Sequence, residues 1–245
     1  MKLLVVEGVT KSFGGIRALD DCSLTVEGGT ITALIGPNGS GKTTLFNVIT
    51  GYVRRDSGHV SMNGRRLDGT SPGRVFAAGV ARTFQLPRIF PRLTVEENMR
   101  LVAGSQLSAM RDAAGQSLTG NDDLLEFVGL AGHSRAAAGT LSYGQRKLLE
   151  LACILSTRPK IILLDEPAGG VNPSLLLLLA DRIRAIRAAG ATVLVVEHDM
   201  EFVMSLCDQV IVMSAGHVIA AGTPQQIRSD ARVVDAYLGK GAADG

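Results

Sequence analysis

Apolar and alternating residues recur along the chain in strand-length stretches: 3–9, 24–26, 31–35, 59–62, 161–165, 192–197, 210–213 and 217–220. The runs at 31–35, 161–165 and 192–197 are almost wholly apolar. A strand reads that way when both of its faces are covered, as in a parallel sheet between layers. Helical stretches follow these runs, which predicts an α/β core. The alternating segments near the N-terminus predict an antiparallel β portion. The middle, roughly 85–138, differs. It predicts two helices, near 95–103 and 122–128, joined by a Gly-, Ser- and Ala-rich connection, as a mostly helical insertion.

Composition narrows the classes. A chain of 245 residues can bury the core of one large α/β domain or two small ones. A formal net charge of +2 gives no bulk argument for a nucleic-acid partner. Cys22, Cys153 and Cys207 are far apart and form no CxxC pair, so they read as buried free thiols, suited to a reducing cytosol. Residues 1–9 are too short for a signal peptide and are interrupted by Lys2 and Glu7. The apolar run 175–180 falls far short of the ~20 residues that cross a bilayer. A membrane role must then come through a partner. Residues 240–245 are expected to fray.

The first chemical signal is Gly36-Pro37-Asn38-Gly39-Ser40-Gly41-Lys42-Thr43, which fits G-x-x-x-x-G-K-[ST]. It lies between an apolar strand (31–35) and a helical run (44–50). Glycines let backbone N–H groups turn inward around phosphate oxygens, and the helix N-terminus adds its positive end. Lys42 is then expected to reach the β- and γ-phosphates, and Thr43 to ligate Mg²⁺. A dinucleotide-binding turn is excluded, because its third glycine is replaced by Thr44.

The second signal is Ile161-Ile162-Leu163-Leu164-Asp165-Glu166: four apolar residues, then two carboxylates. A buried strand carries acids at its end when something cationic or catalytic sits there, although a solvent-facing strand end would also explain them. Asp165 suits Mg²⁺, and Glu166 suits polarising an attacking water.

The third is Leu141-Ser142-Tyr143-Gly144-Gln145, ahead of a helical run at 146–156. Ser142 and Gln145 have capping-box spacing, which makes Ser142 the N-cap. Arg146 and Lys147 would then oppose the helix dipole in the first turn. A bound anion would resolve that conflict; a solvated basic turn would also explain it.

Taken together, these segments resemble the ABC transporter ATPases. The phosphate loop matches their Walker A motif, Asp165-Glu166 their Walker B, and LSYGQ their signature, usually LSGGQ. The resemblance covers nearly the whole chain. It implies a P-loop NTPase α/β core with a mostly parallel sheet, an N-terminal antiparallel β portion and a helical subdomain carrying the signature. One ABC ATPase domain would span 1–245, with the core at 1–84 and 161–245 and the Q-loop and helical subdomain at about 85–160. Two such domains, identical or sister chains, would pair head to tail, each ATP lying between one Walker A loop and the other domain's signature, here Ser142, Tyr143, Gly144 and Gln145. Gln85 resembles the Q-loop glutamine that contacts Mg²⁺ and water. His198 resembles the switch histidine near the γ-phosphate, and Phe13 holds the position of the aromatic that stacks on adenine. By residue type alone, Gln85 could be an exposed loop residue, His198 a core residue and Phe13 a core residue. Two departures stand out. Tyr143 replaces the usual glycine, so its side chain must point away from phosphate. Asn172 replaces the usual D-loop Asp, and also reads as an N-cap with Pro173 at N1.

The segments 81–85, 141–145, 165–173, 196–200 and 236–239 resemble the ATPases of branched-chain amino acid importers, and also those of urea importers. This implies a cytoplasmic subunit on the inner face of the membrane. Its partners would be a second ATPase subunit, membrane permeases and, indirectly, an extracytoplasmic solute-binding protein. The loop Leu86-Pro87-Arg88-Ile89-Phe90-Pro91 is the expected permease contact, with Ile89 and Phe90 in an exposed apolar patch. The competing class is a soluble ABC ATPase. The translation factors carry two ATPase domains in one chain and the repair enzymes a long coiled coil; one phosphate loop and no sustained heptad appear here.

Overall fold

The computed structural model describes residues 1–67, 69, 71–104 and 120–238. The chain opens with two long antiparallel strands, β1 (Lys2–Phe13) and β2 (Ile16–Glu27). Strand β3 (Ile31–Ile35) leads through the glycine loop into α1 (Lys42–Ile49). The chain returns as β4 (Ser57–Met62), β5 (Arg65–Arg66), α2 (Pro72–Ala77) and the short β6 (Val80–Arg82). Then come α3 (Val95–Gly104), α4 (Asn121–Phe127) and α5 (Tyr143–Ser156). Alternation resumes with β7 (Ile161–Asp165), α6 (Pro173–Ala188), β8 (Thr192–Val196) and α7 (Met200–Leu206). The hairpin β9 (Gln209–Ser214) and β10 (His217–Gly222), then α8 (Pro224–Arg228) and α9 (Ala231–Leu238), complete it.

Two sheets result, ordered β2-β1-β4-β5 and β10-β9-β3-β8-β7-β6. The first is antiparallel; the second is parallel except for β10. Strands β3, β7 and β8 are buried at every residue, which explains their almost wholly apolar runs. Successive side chains enter different cores. Ile31, Ala33, Ile162, Leu164, Val193 and Val195 pack on the side of α5, α6 and α7. Leu34, Ile161, Leu163, Leu194 and Val196 pack with α1 and the antiparallel sheet. The large sheet is a wall between two cores, and period-2 side-chain alternation makes it one.

The parallel register sets the site. Leu34 and Asp165 are both paired with Val196, and Arg82 with Leu163. The carboxyl ends of β3, β8, β7 and β6 therefore lie along one edge, where open α/β sheets gather their ligands. The three cysteines are buried, as expected. The helix forecast at 95–103 is α3 and that at 122–128 is α4, while the connection at 105–119 and residues 240–245, where fraying is expected, lie outside the described residues. Helices α1 and α5 start earlier than expected, at Lys42 and Tyr143. Among the described residues no helix is long and apolar enough to cross a membrane.

Candidate functional site

The glycine loop at 36–41 follows β3. A Cβ on Gly36 (φ 149°) would lie 2.1 Å from the Met213 carbonyl oxygen, and one on Gly41 (φ 103°) 2.5 Å from that of Ala18. Only glycine lets the loop pass that close to the neighbouring backbone. Lys42 Nζ donates to the carbonyls of Gly36 at 2.7 Å and Pro37 at 3.1 Å, so its side chain arches back over the loop. Helix α1 has no side-chain cap at Gly41 and no acid in its first turn, which suits an anion. Ser40 is buried, Thr43 exposed and Thr44 half-buried. Asn38 and Gly39 are exposed at the loop's crest.

At the end of β7 the two acids part ways. Asp165 is 7% exposed and pairs with Arg82, Nη2 to Oδ2 at 2.5 Å. The cation that a buried acid at a strand end calls for is therefore present within the chain, and Arg82 supplies it. Arg82 also donates to Asn47 Oδ1 at 2.6 Å and lies over the rings of Phe46 and Phe84. Glu166 turns the other way, at φ 47°, a left-handed conformation uncommon for a non-glycine residue. Its side chain meets Gln85: Gln85 Nε2 donates to Glu166 Oε2 at 3.0 Å. Among the described residues no three of His, Cys, Asp and Glu gather on one point. The Asp165 carboxyl and the Thr43 hydroxyl are oxygen donors of the kind Mg²⁺ takes.

Beyond β8, Glu197 is fully buried, and burial pushes its carboxyl above the ordinary range against the pull of three backbone N–H groups. Those donors are Ala168 at 2.7 Å, His198 at 3.1 Å and Asp199 at 3.5 Å. Glu197 thus ties the loop after β7 to the loop after β8. The His198 side chain is 66% exposed, so it is not a core residue. Phe13 is half-exposed in the β1–β2 hairpin with the Lys11 ammonium 5.2 Å from its ring centroid, so it is not core either.

Helix α5 has the expected capping box: Gln145 N–H donates to Ser142 Oγ at 3.3 Å, and Ser142 N–H to Gln145 Oε1 at 2.9 Å. The expected charge conflict is resolved within the chain. Arg146 donates to the carbonyls of Leu141 at 2.9 Å and Gly139 at 3.0 Å. Lys147 donates to those of Glu166, Pro167 and Gly169 at 2.6, 3.1 and 2.9 Å. Both cations have their donors met within the chain, so they give no argument of their own for phosphate at this helix end. Tyr143 turns aside, and its hydroxyl donates to the Gln85 carbonyl at 2.7 Å. Gly144 lies close to Leu175, whose Cδ1 a Cβ would meet at 2.7 Å, so a larger residue there would make the Leu175 side chain shift. Asn172 caps α6, accepting from Leu175 N–H at 2.9 Å, with Pro173 at N1.

Sequence reasoning passed over Arg82, Lys147, Glu150 and Glu197 as site residues. Glu150 is a lone charge in an otherwise apolar stretch, which was the available signal; the others sit beside further polar residues and carried none. The forecast patch beside Gln85 also needs amending. Leu86 and Phe90 are exposed, at 73% and 51%, whereas Ile89 is partly buried and packs against the core.

Residues 19–169 match the model of the ABC transporter family, and residues 217–243 that of the branched-chain amino acid ATP-binding cassette transporter. The chain is 38% identical over 250 residues to the high-affinity branched-chain amino acid transport ATP-binding protein BraF of Pseudomonas aeruginosa, covering 97% of this chain and 98% of that one. Its fold matches the crystal structure of a nucleotide-free ATP-binding cassette from an ABC transporter, with a TM-score of 0.84, 35% identity and coverage of 97% and 99%. It also matches the ADP conformation of an ATP-binding cassette, with a TM-score of 0.83, 35% identity and coverage of 98% and 99%.

Proposed function

The chain belongs to the ATP-binding cassette family of ABC transporters, and from that premise we propose that it drives the import of branched-chain amino acids by hydrolysing ATP between two copies of its nucleotide site. The observation that carries the chemistry is the convergence on one sheet edge of the glycine loop, Asp165 and the Gln85–Glu166 pair.

In this reading the backbone N–H groups of Asn38, Gly39, Ser40 and Gly41 wrap the β- and γ-phosphates, with Gly36 and Pro37 shaping the entry to the loop and Thr44 at the start of the helix behind it. Lys42 leaves its own loop carbonyls to meet the phosphate oxygens. Thr43, Asp165 and Gln85 would hold Mg²⁺, whose charge offsets that of the phosphates when it is bound. Glu166 accepts a hydrogen bond from the attacking water and orients it in line with the γ-phosphate. His198 stabilises the charge that develops there. Phe13 stacks on the adenine. Ser142, Tyr143, Gly144 and Gln145 of a second copy close the site from the far side. Closure around ATP and release after hydrolysis would move the permeases, which follow whichever state nucleotide favours. Leu86 and Phe90 offer the apolar contact for those permeases.

The match at 217–243 and the likeness to BraF support branched-chain amino acids as the solute; an extracytoplasmic receptor would deliver it. The nucleotide site itself reads none of the solute's chemistry. The test is reconstitution with the co-purified permeases and receptor. Leucine, isoleucine or valine should stimulate ATP hydrolysis. Stimulation by urea or another amide alone would reassign the solute while leaving the ATPase in place.

A further inference from the structure

We propose that one face of α5, carrying Tyr143, Lys147 and Glu150, positions both Gln85 and Glu166, so that the reacting pair is held in register by the helical side of the molecule. The inference rests on the assignment of Glu166 and Gln85 to the hydrolytic step.

The three residues are four and three positions apart, and such neighbours share a helix face. Each ends on a loop that carries one member of the pair. Tyr143 Oη donates to the Gln85 carbonyl at 2.7 Å. Three residues further on, Arg88 N–H donates to Glu150 Oε1 at 3.0 Å, and Glu150 is 5% exposed. The strand-to-loop segment around Gln85 is thus fixed from α5 at two points.

Lys147 holds the other loop. It is 7% exposed, and its three ammonium protons meet three carbonyls, those of Glu166, Pro167 and Gly169. In the same loop, the buried Glu197 carboxylate accepts from Ala168 N–H. A buried cation on the carbonyls and a buried anion on an amide clamp the same turn. Glu166 keeps its left-handed backbone inside this clamp, with its N–H on the Val196 carbonyl at 2.9 Å. Strained backbone of this kind persists where its surroundings over-determine it. The Tyr143 ring also lies against Gly170, where a Cβ would come within 3.1 Å of Cε1. The bond from Gln85 Nε2 to Glu166 Oε2 then joins the two held loops. A helix moves as a rod, so a rotation of α5 displaces Gln85 and Glu166 together. Displacing a reacting group by about 1 Å can cost on the order of 100-fold in rate.

Tyr143, Lys147 and Glu150 are positioning residues in this account, and the test separates that role from a merely structural one. Steady-state ATP hydrolysis by the full chain is measured for Tyr143→Phe in the wild-type and Gln85→Ala backgrounds. The ring remains in Tyr143→Phe, so the fold is kept. The expected result is a fall in kcat of about tenfold with the KM for ATP held within about twofold. In the Gln85→Ala background there is no side chain left to position, and the same change should alter kcat by less than about twofold. Lys147→Met should lower kcat in the same manner, and its added effect should vanish in Glu166→Gln. Wild-type kcat in Tyr143→Phe, or the same fold loss in both backgrounds, overturns the proposal. Glu166→Gln is run alongside. Turnover surviving there removes the catalytic assignment itself, whereas turnover lost there with Tyr143→Phe at wild-type rate removes the α5 face alone.

Discussion

The guanidinium of Arg82 and the carboxylate of Asp165 meet at 2.5 Å, both side chains less than a tenth exposed, although 83 residues separate them in sequence. They join the end of β6 to the end of β7. Removing one partner of a buried pair leaves the other charge without compensation, which costs roughly 3–5 kcal/mol. Arg82→Leu should therefore lower the free energy of unfolding by about that much, as read by denaturant titration. A change below about 1 kcal/mol would mean that Asp165 finds another partner or takes up a proton.

Glu166→Gln keeps the size of the side chain and removes its capacity to accept a proton. Equilibrium ATP binding should stay within about threefold of wild type, while phosphate release falls by on the order of 100-fold or more, the usual worth of a general base. Wild-type turnover in this variant would take the role of base away from Glu166.

Glu150 lies against Lys147 and accepts the Arg88 N–H, yet burial outweighs these and pushes its carboxyl up from 4.5 to about 7. The folded-state value is the higher one, so its contribution to stability is full below about pH 4.5 and is lost as the pH rises through 7. Between pH 5 and 8 the wild type should lose roughly 2–3 kcal/mol relative to Glu150→Gln, which has no proton to release. Parallel stability curves for the two proteins would show that Glu150 titrates normally.

Leu86 and Phe90 stand in the loop after Gln85 with most or half of their surface exposed. Leu86→Glu with Phe90→Glu should leave ATP hydrolysis by the chain alone unchanged and abolish co-purification with the permeases. Retained co-purification with intact solute-stimulated turnover would place the docking surface elsewhere.

The parts of the fold that repeat at short period could be read directly. The apolar runs at 31–35, 161–165 and 192–197 became β3, β7 and β8, because burial on two faces leaves few polar positions in a strand. The phosphate loop, the Ser142 cap and the Asn172 cap were legible because each is fixed by residues within four or so of one another. Strand β6 was not, since Val80-Ala81-Arg82 is too short to establish a period. Partnerships across the chain were hidden for a different reason. The basic residues after Ser142 look unbalanced in their own helix, and only folding brings the Glu166, Pro167 and Gly169 carbonyls to Lys147. The same holds for Arg82, whose acid lies on another strand, and for Glu197, whose donors include an amide 29 residues away.

The buried cysteines have a practical corollary. Cys22 is pushed up to about 11 by burial and the neighbouring Asp21, and Cys153 and Cys207 to about 12, chiefly by burial. It is the thiolate that attacks an alkylating reagent, so at neutral pH the native fold offers such a reagent almost nothing to react with. A single reporter thiol engineered onto the surface can then be labelled in the unaltered background, and the exposure of the three native sulfurs becomes a clock for unfolding.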